Sequence, residues 1–202
     1  GKEYESEDNN PLLGFRGTYR HLFHKDVLEA EIEAFKKARE ENPDLHLVIP
    51  LVRSVHEFSQ IKKILAEAGL KPTSTLELWL SISTPANLIL VPQFISEGIS
   101  GFMIDLNELA CLTQGVDSQN VEVLPLFNEI DPAVVWLLEH AVSYASKKEV
   151  ETTICGKSCG LYPHFTERMV RAGVSGFSVP PDLVQATRRY TAAAEVKLID
   201  GK

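Results

Sequence analysis

Apolar positions along the chain follow two alternating patterns. Short, nearly continuous apolar runs at 45–52, 76–83, 100–104, 151–155 and 175–179 read as strands of a parallel sheet covered on both faces. Between them, apolar residues recur at helical spacing. Leu28, Ile32 and Phe35 share one face of a helix expected over 26–41, which Asn42-Pro43-Asp44 stops. Val55, Phe58, Ile61 and Leu65 do the same over 55–68, where Ser54 and Glu57 form a capping box and Gly69 ends the helix. Thr84-Pro85 opens a helix through about 95, and 106–113 reads as a short one. Asp131-Pro132 opens another through 148, with Val135, Leu138 and Val142 on one face. Helices at 163–172 and 182–196 complete the series, and 115–130 is a long irregular loop, a length that often carries function.

Strand and helix thus alternate five times, which predicts an α/β fold with a parallel sheet. The stretch 98–104 (Gly-Ile-Ser-Gly-Phe-Met-Ile) echoes 173–179 (Gly-Val-Ser-Gly-Phe-Ser-Val), as equivalent helix-to-strand links would. In such folds chemistry sits beyond the carboxyl ends of the strands, here near Arg53, Ser83, Asp105–Glu108, Cys155–Cys159 and Val179–Asp182.

Composition narrows the classes. The net charge of −8 disfavours a general nucleic-acid binder, which needs a basic face. No apolar run reaches the length of a membrane span, and the acidic start Gly1-Lys2-Glu3-Tyr4 is not a signal peptide. Without an initiator Met, the chain reads as a piece of a longer protein; residues 1–9 form an acidic arm or linker before a domain at 10–200. Three cysteines without framework spacing (Cys111, Cys155, Cys159) point to a reducing, cytoplasmic setting.

Candidate chemistry begins at Asn10–Gly17. Pro11 stiffens this loop, and Gly14 and Gly17 flank Phe15-Arg16. An arginine held this way suits a planar carboxylate or phosphate; the alternative is a surface turn with a solvated cation. Asp105, Asn107 and Glu108 close a strand, where carboxylates serve either as Mg²⁺ ligands or as a helix cap with first-turn acids. Cys155 at a strand end is either a proton donor or an unremarked thiol. Gly156-Lys157-Ser158 is no phosphate-binding P-loop, since Glu151 stands where the leading glycine belongs. Cys155 and Cys159 lack a second pair for zinc, and the six histidines form no ligand motif.

In order and approximate spacing, several stretches resemble the C-terminal barrel of phosphoenolpyruvate (PEP) synthase, pyruvate-water dikinase, of the PEP-utilising enzymes. They are Asn10–Gly17, Val48–Val55, Gln93-Phe94, Gly101-Phe102 with Asn107, Gly115–Asp117, Leu126–Glu129 and Ile154–Gly156. The resemblance runs from about Tyr4 to Tyr190. It implies part of a TIM-type (β/α)₈ barrel, incomplete at about five βα units, that handles PEP and pyruvate. In that family a phosphohistidine on a separate domain passes its phosphoryl group to pyruvate. Carried over, Arg16 matches a phosphate-binding arginine, Asn107 a substrate-contacting asparagine, and Cys155 the acid/base cysteine at the enolate carbon. The family's Mg²⁺ is held by a Glu and an Asp. Ser83 stands at the first position and Glu108 at the second, with Asp105 as a nearby substitute.

The remaining barrel strands, roughly three, and the nucleotide-binding and phosphohistidine domains belong to a missing N-terminal part or another subunit. A homo-oligomer is expected. The implied reaction is phosphoryl transfer, with the isolated chain not competent. The alternatives are a catalytically degenerate binding or dimerisation module, and a lyase on the same barrel type.

Overall fold

The structure, a computed structural model, describes residues 8–201. Most of the expected acidic arm at 1–9 lies outside the described residues. Two helices come first, α1 (Thr18–Phe23) and α2 (Lys25–Glu41). The alternation then runs β1 (Leu47–Ile49), α3 (Val55–Glu67), β2 (Leu78–Ile82), α4 (Pro85–Ile89), α5 (Val91–Ser96), β3 (Gly101–Asp105) and α6 (Leu106–Gln114). It continues through α7 (Pro132–Lys147), β4 (Glu151–Cys155), α8 (Ser158–Leu161), α9 (Pro163–Ala172), β5 (Gly176–Ser178) and α10 (Val184–Ile199).

All strand pairs are parallel and the spatial order β1-β2-β3-β4-β5 equals the chain order. Crossovers of one hand with no reversal of strand order put every connecting helix on the same side. That separates a barrel wall from a doubly wound sheet, whose order reverses at a switch point. Burial agrees. Leu78, Leu80, Ile82, Phe102, Ile104 and Ile154 are at most 1% exposed and form the face under the helices. The alternate residues Trp79, Ser81, Met103, Asp105, Thr153 and Cys155 are half-buried and line the other, concave face. The chain is thus an incomplete TIM-type barrel wall of five strands.

Helices lock onto the wall through caps and aromatic packing. Phe58 of α3 and Phe94 of α5 are fully buried with rings 5.9 Å apart, edge to face; burying each contributes about 1.5–3 kcal/mol. Ser54 accepts the Glu57 N–H, and Thr84 and Asn87 cap one another reciprocally. The two similar stretches are the same αβ link used twice. Gly98 (φ +84°) and Gly173 (φ +91°) take the left-handed turn after a helix. The following Ser100 and Ser175 N–H groups each donate to the preceding strand, to Leu78 and Thr152.

Three differences from the sequence reading have local causes. The helix expected from 84 to about 95 breaks into α4 and α5, because Pro92 has no N–H to continue the ladder. The run 45–52 forms a strand only over Leu47–Ile49. There the Pro50 carbonyl turns to the Thr18 N–H and hydroxyl, and Leu51 adopts φ +28°. Helix α1, unanticipated, is the other half of that exchange, with Thr18 fully buried against the end of β1.

Candidate functional site

The Arg16 loop reaches its position through backbone chemistry. Asn10 caps the turn by accepting the Leu12 N–H, and Asp8 accepts the Phe15 N–H at 2.9 Å. Gly17 has φ +68°, and a Cβ there would lie 2.6 Å from the Leu51 carbonyl, so only glycine fits. The Leu51 backbone, itself in a sparsely populated region, is the surface the loop packs on. Arg53 then ties the loop down. Its guanidinium donates to the Arg16 carbonyl and the Gly14 carbonyl, both at 3.0 Å. Its own N–H donates to the buried Glu57 carboxylate at 2.5 Å. Arg53 therefore serves as a strut with its charge turned onto carbonyls.

Across the carboxyl ends of the strands, register sets a row. Asp105 pairs with Cys155, and Cys155 pairs with Ser178. In-register neighbours of parallel strands project to the same face, so the three side chains stand side by side on the concave side. Ser178 stands in register beside Cys155, with its hydroxyl near the sulfur. Burial pushes the Cys155 thiol up, with the nearby Asp105 charge adding and Ser178 opposing. The thiol is thus held protonated near neutral pH, as a proton donor must be. Cys159, fully buried next to Glu129, is pushed up to about 12, again mainly by burial. It belongs to the core.

Asp105 is the N-cap of α6, its Oδ1 accepting the Glu108 N–H at 2.9 Å. Burial raises its pKa, the Glu108 and Asn107 N–H groups oppose, the Glu108 charge adds, and the Arg16 charge lowers it. Glu108, on the first turn of α6, meets Arg16 with Nη2–Oε1 at 2.6 Å. The fold therefore brings Arg16, Glu108, Asp105 and Cys155 to one end of the wall, with Asp105 electrostatically linking the arginine side to the thiol side. Asn107 is exposed on α6, its Oδ1 touched only loosely by the Cys111 thiol at 4.0 Å.

The cap reading of Asp105 holds, and the carboxylate pair beside it bears on metal binding. Ser83, 2% exposed just past β2, supplies no charge. Among the described residues no three His, Cys, Asp or Glu side chains form a metal-binding group. The Asp105–Glu108 pair suits a divalent cation only when a ligand's own oxygens complete the shell, the usual mode for Mg²⁺.

Two supporting residues carried no assigned role in the sequence reading, where Glu129 stood only as the end of the stretch Leu126–Glu129. Glu129, 6% exposed at the end of the long loop, accepts the Ser158 hydroxyl at 2.5 Å. That bond pins the 115–130 loop to the segment following Cys155. Ser178 lies one residue before the strand end flagged in the sequence, and a hydroxyl there carried no signal of its own.

A family profile described as PEP-utilising enzyme, PEP-binding domain, matches residues 2–196. A "Probable phosphoenolpyruvate synthase" of Methanocaldococcus jannaschii is 36% identical over 200 residues, 98% of this chain and 17% of that protein. Its counterpart in Archaeoglobus fulgidus is also 36% identical, over 98% of this chain and 26% of its own. The "Phosphoenolpyruvate synthase" of Pyrococcus furiosus is 35% identical over 98% and 24%. The chain thus spans about a quarter or less of the curated relatives it matches. Among solved structures, a citrate lyase from Burkholderia xenovorans matches in fold with TM-score 0.53 and 13% identity, covering 72% of this chain and 48% of that one. The chain belongs to the PEP-utilising enzyme family, as its PEP-binding domain.

Proposed function

We propose that this chain holds PEP and pyruvate for a PEP synthase-like phosphotransferase. The observation that carries the reading is the convergence at one end of the wall. A braced arginine, a carboxylate pair and a thiol gather there from four separate segments of the chain.

In the synthetic direction the Cys155 thiolate takes a proton from the pyruvate methyl group, the resulting enolate oxygen attacks phosphorus, and the P–N bond to a phosphohistidine breaks. Arg16 binds the phosphoryl oxygens with charge-assisted hydrogen bonds that strengthen as charge develops. In the reverse direction the Cys155 thiol gives its proton to the enolate methylene carbon and Ser178 keeps the sulfur aligned. Asn107, exposed beside Glu108, contacts the bound ligand in this reading. Mg²⁺, when bound, neutralises charge between ligand oxygens; Asp105 and Glu108 are the residues that would hold it.

The phosphohistidine must come from another part of the protein or another subunit, so the chain alone binds without turning over. The free thiols fit a cytoplasmic setting. Isothermal titration with oxalate in the presence of Mg²⁺ tests the reading. Micromolar, metal-dependent binding supports it, and absence of binding refutes it. Phosphotransfer by the isolated chain would refute the division of labour.

A second reading, a binding or dimerisation module that has given up catalysis, is favoured by Ser83 and by the β1 edge. There an apolar cavity of about 230 Å³, lined by Leu28, Ile32, Phe35, Leu47 and Ile61, adjoins an edge strand. In a closed barrel that edge is covered.

A further inference from the structure

We infer that Glu108 is a specificity-determining residue of this site. Its carboxylate occupies the Arg16 guanidinium as a built-in competitor, so an incoming anion reaches Arg16 only by displacing it. The inference rests on the reading of Arg16 as an anion site.

Both partners are fixed at the backbone. Arg53 and Asp8 hold the Arg16 loop, and Gly17 seats it on Leu51. Glu108 is anchored by its N–H to the Asp105 cap. These contacts hold both main chains in place, so rotation of the two side chains is the direct way to release the contact. The 2.6 Å separation lies at the short end for a charge-assisted bond, and it joins residues 92 apart in sequence. With side-chain exposures of 34% and 22%, solvent screens the pair only in part.

An entering phosphate or carboxylate seeks the same Nη2 and would stand next to a like charge. Two kinds of ligand overcome this. One carries more than one anionic group, so that its gain at Arg16 exceeds what Glu108 gives up. The other arrives with a cation that engages Glu108. Single carboxylates are screened out. A side chain one methylene shorter would leave the charge near Arg16 and remove the contact, so reach as well as charge sets the competition.

The test is calorimetric titration of PEP into the whole protein in a chelator-containing buffer, with circular dichroism to confirm that each variant is folded. Glu108→Gln is expected to bind about tenfold more tightly than the parent, and Glu108→Asp several-fold more tightly. Arg16→Ala is expected to lose binding. Glu108→Gln binding no tighter than the parent, while Arg16→Ala abolishes binding, would overturn the competitor role and leave the anion site standing. Tighter binding by Glu108→Gln with Glu108→Asp unchanged would assign the effect to diffuse charge and overturn the contact. Undiminished binding by Arg16→Ala, or no binding by any form, would overturn the anion site and the competitor role together.

Discussion

Removing the Arg53 side chain offers a graded test of how the anion loop is held. Arg53 makes two hydrogen bonds to loop carbonyls, to Arg16 and to Gly14, each 3.0 Å long. A hydrogen bond from a charged donor contributes about 1.5–3 kcal/mol. Arg53 is only partly buried, so the lower end applies, about 2–3 kcal/mol for the pair. Little of this is global stability, because the loop lies on the wall and the core beneath it is separate. The loss falls on the position of Arg16. At about 1.4 kcal/mol per tenfold, Arg53→Ala weakens PEP binding in Mg²⁺ buffer by roughly 30- to 140-fold. Arg53→Lys keeps the charge and one donor direction but cannot reach both carbonyls, and it lies between. Calorimetric titration reads the affinities, and urea unfolding reads the stabilities. Full affinity in Arg53→Ala would show that Gly17 and Asp8 alone hold the loop and that the strut is idle. A drop in unfolding free energy as large as the loss in binding would show that Arg53 supports the core instead.

Further predictions follow from single contacts. Gly17→Ala forces a Cβ against the Leu51 carbonyl at positive φ and is expected to destabilise the chain by about 2–4 kcal/mol, read as a lower urea midpoint; an unchanged midpoint would contradict the close approach. Thr84→Ala removes a reciprocal cap at α4 and costs about 1 kcal/mol in the same assay, whereas Thr84→Ser retains most of it. Cys155 is the first thiol to react with iodoacetamide, Cys111 and Cys159 being buried, and its rate rises with pH along a curve displaced above that of an ordinary thiol. Ser178→Ala removes a hydroxyl beside the sulfur that favours the thiolate, so its curve moves to still higher pH; a shift downward would reverse the assigned role.

Much of the wall was legible because its strands are buried. Runs such as Leu76–Ile82 leave no other place for their side chains, and Gly98 and Gly173 mark the same left-handed turn twice. The breaks were harder. Pro85 at the start of a helix and Pro92 inside it look alike in sequence, yet the first is tolerated and the second splits α4 from α5. Helix α1 was missed because its anchor, the Thr18 contact with Pro50, joins residues 32 apart.

The site shows the same limit. Strand ends near Arg53, Asp105 and Cys155 were visible from the alternation alone, but their partners were not. That Arg53 spends its charge on carbonyls, that Glu108 reaches Arg16, and that Glu129 closes on Ser158 all depend on contacts between distant segments. The register pairing of Cys155 with Ser178 likewise exists only once the ladder is built.

In the proposed function Arg16 and Cys155 serve one ligand. The most direct measurement is the rate of Cys155 alkylation with and without PEP, in Mg²⁺ buffer, for the parent and Arg16→Ala. PEP is expected to slow alkylation of the parent and to leave the rate in Arg16→Ala unchanged. Equal protection in both forms, or none in the parent, would contradict it.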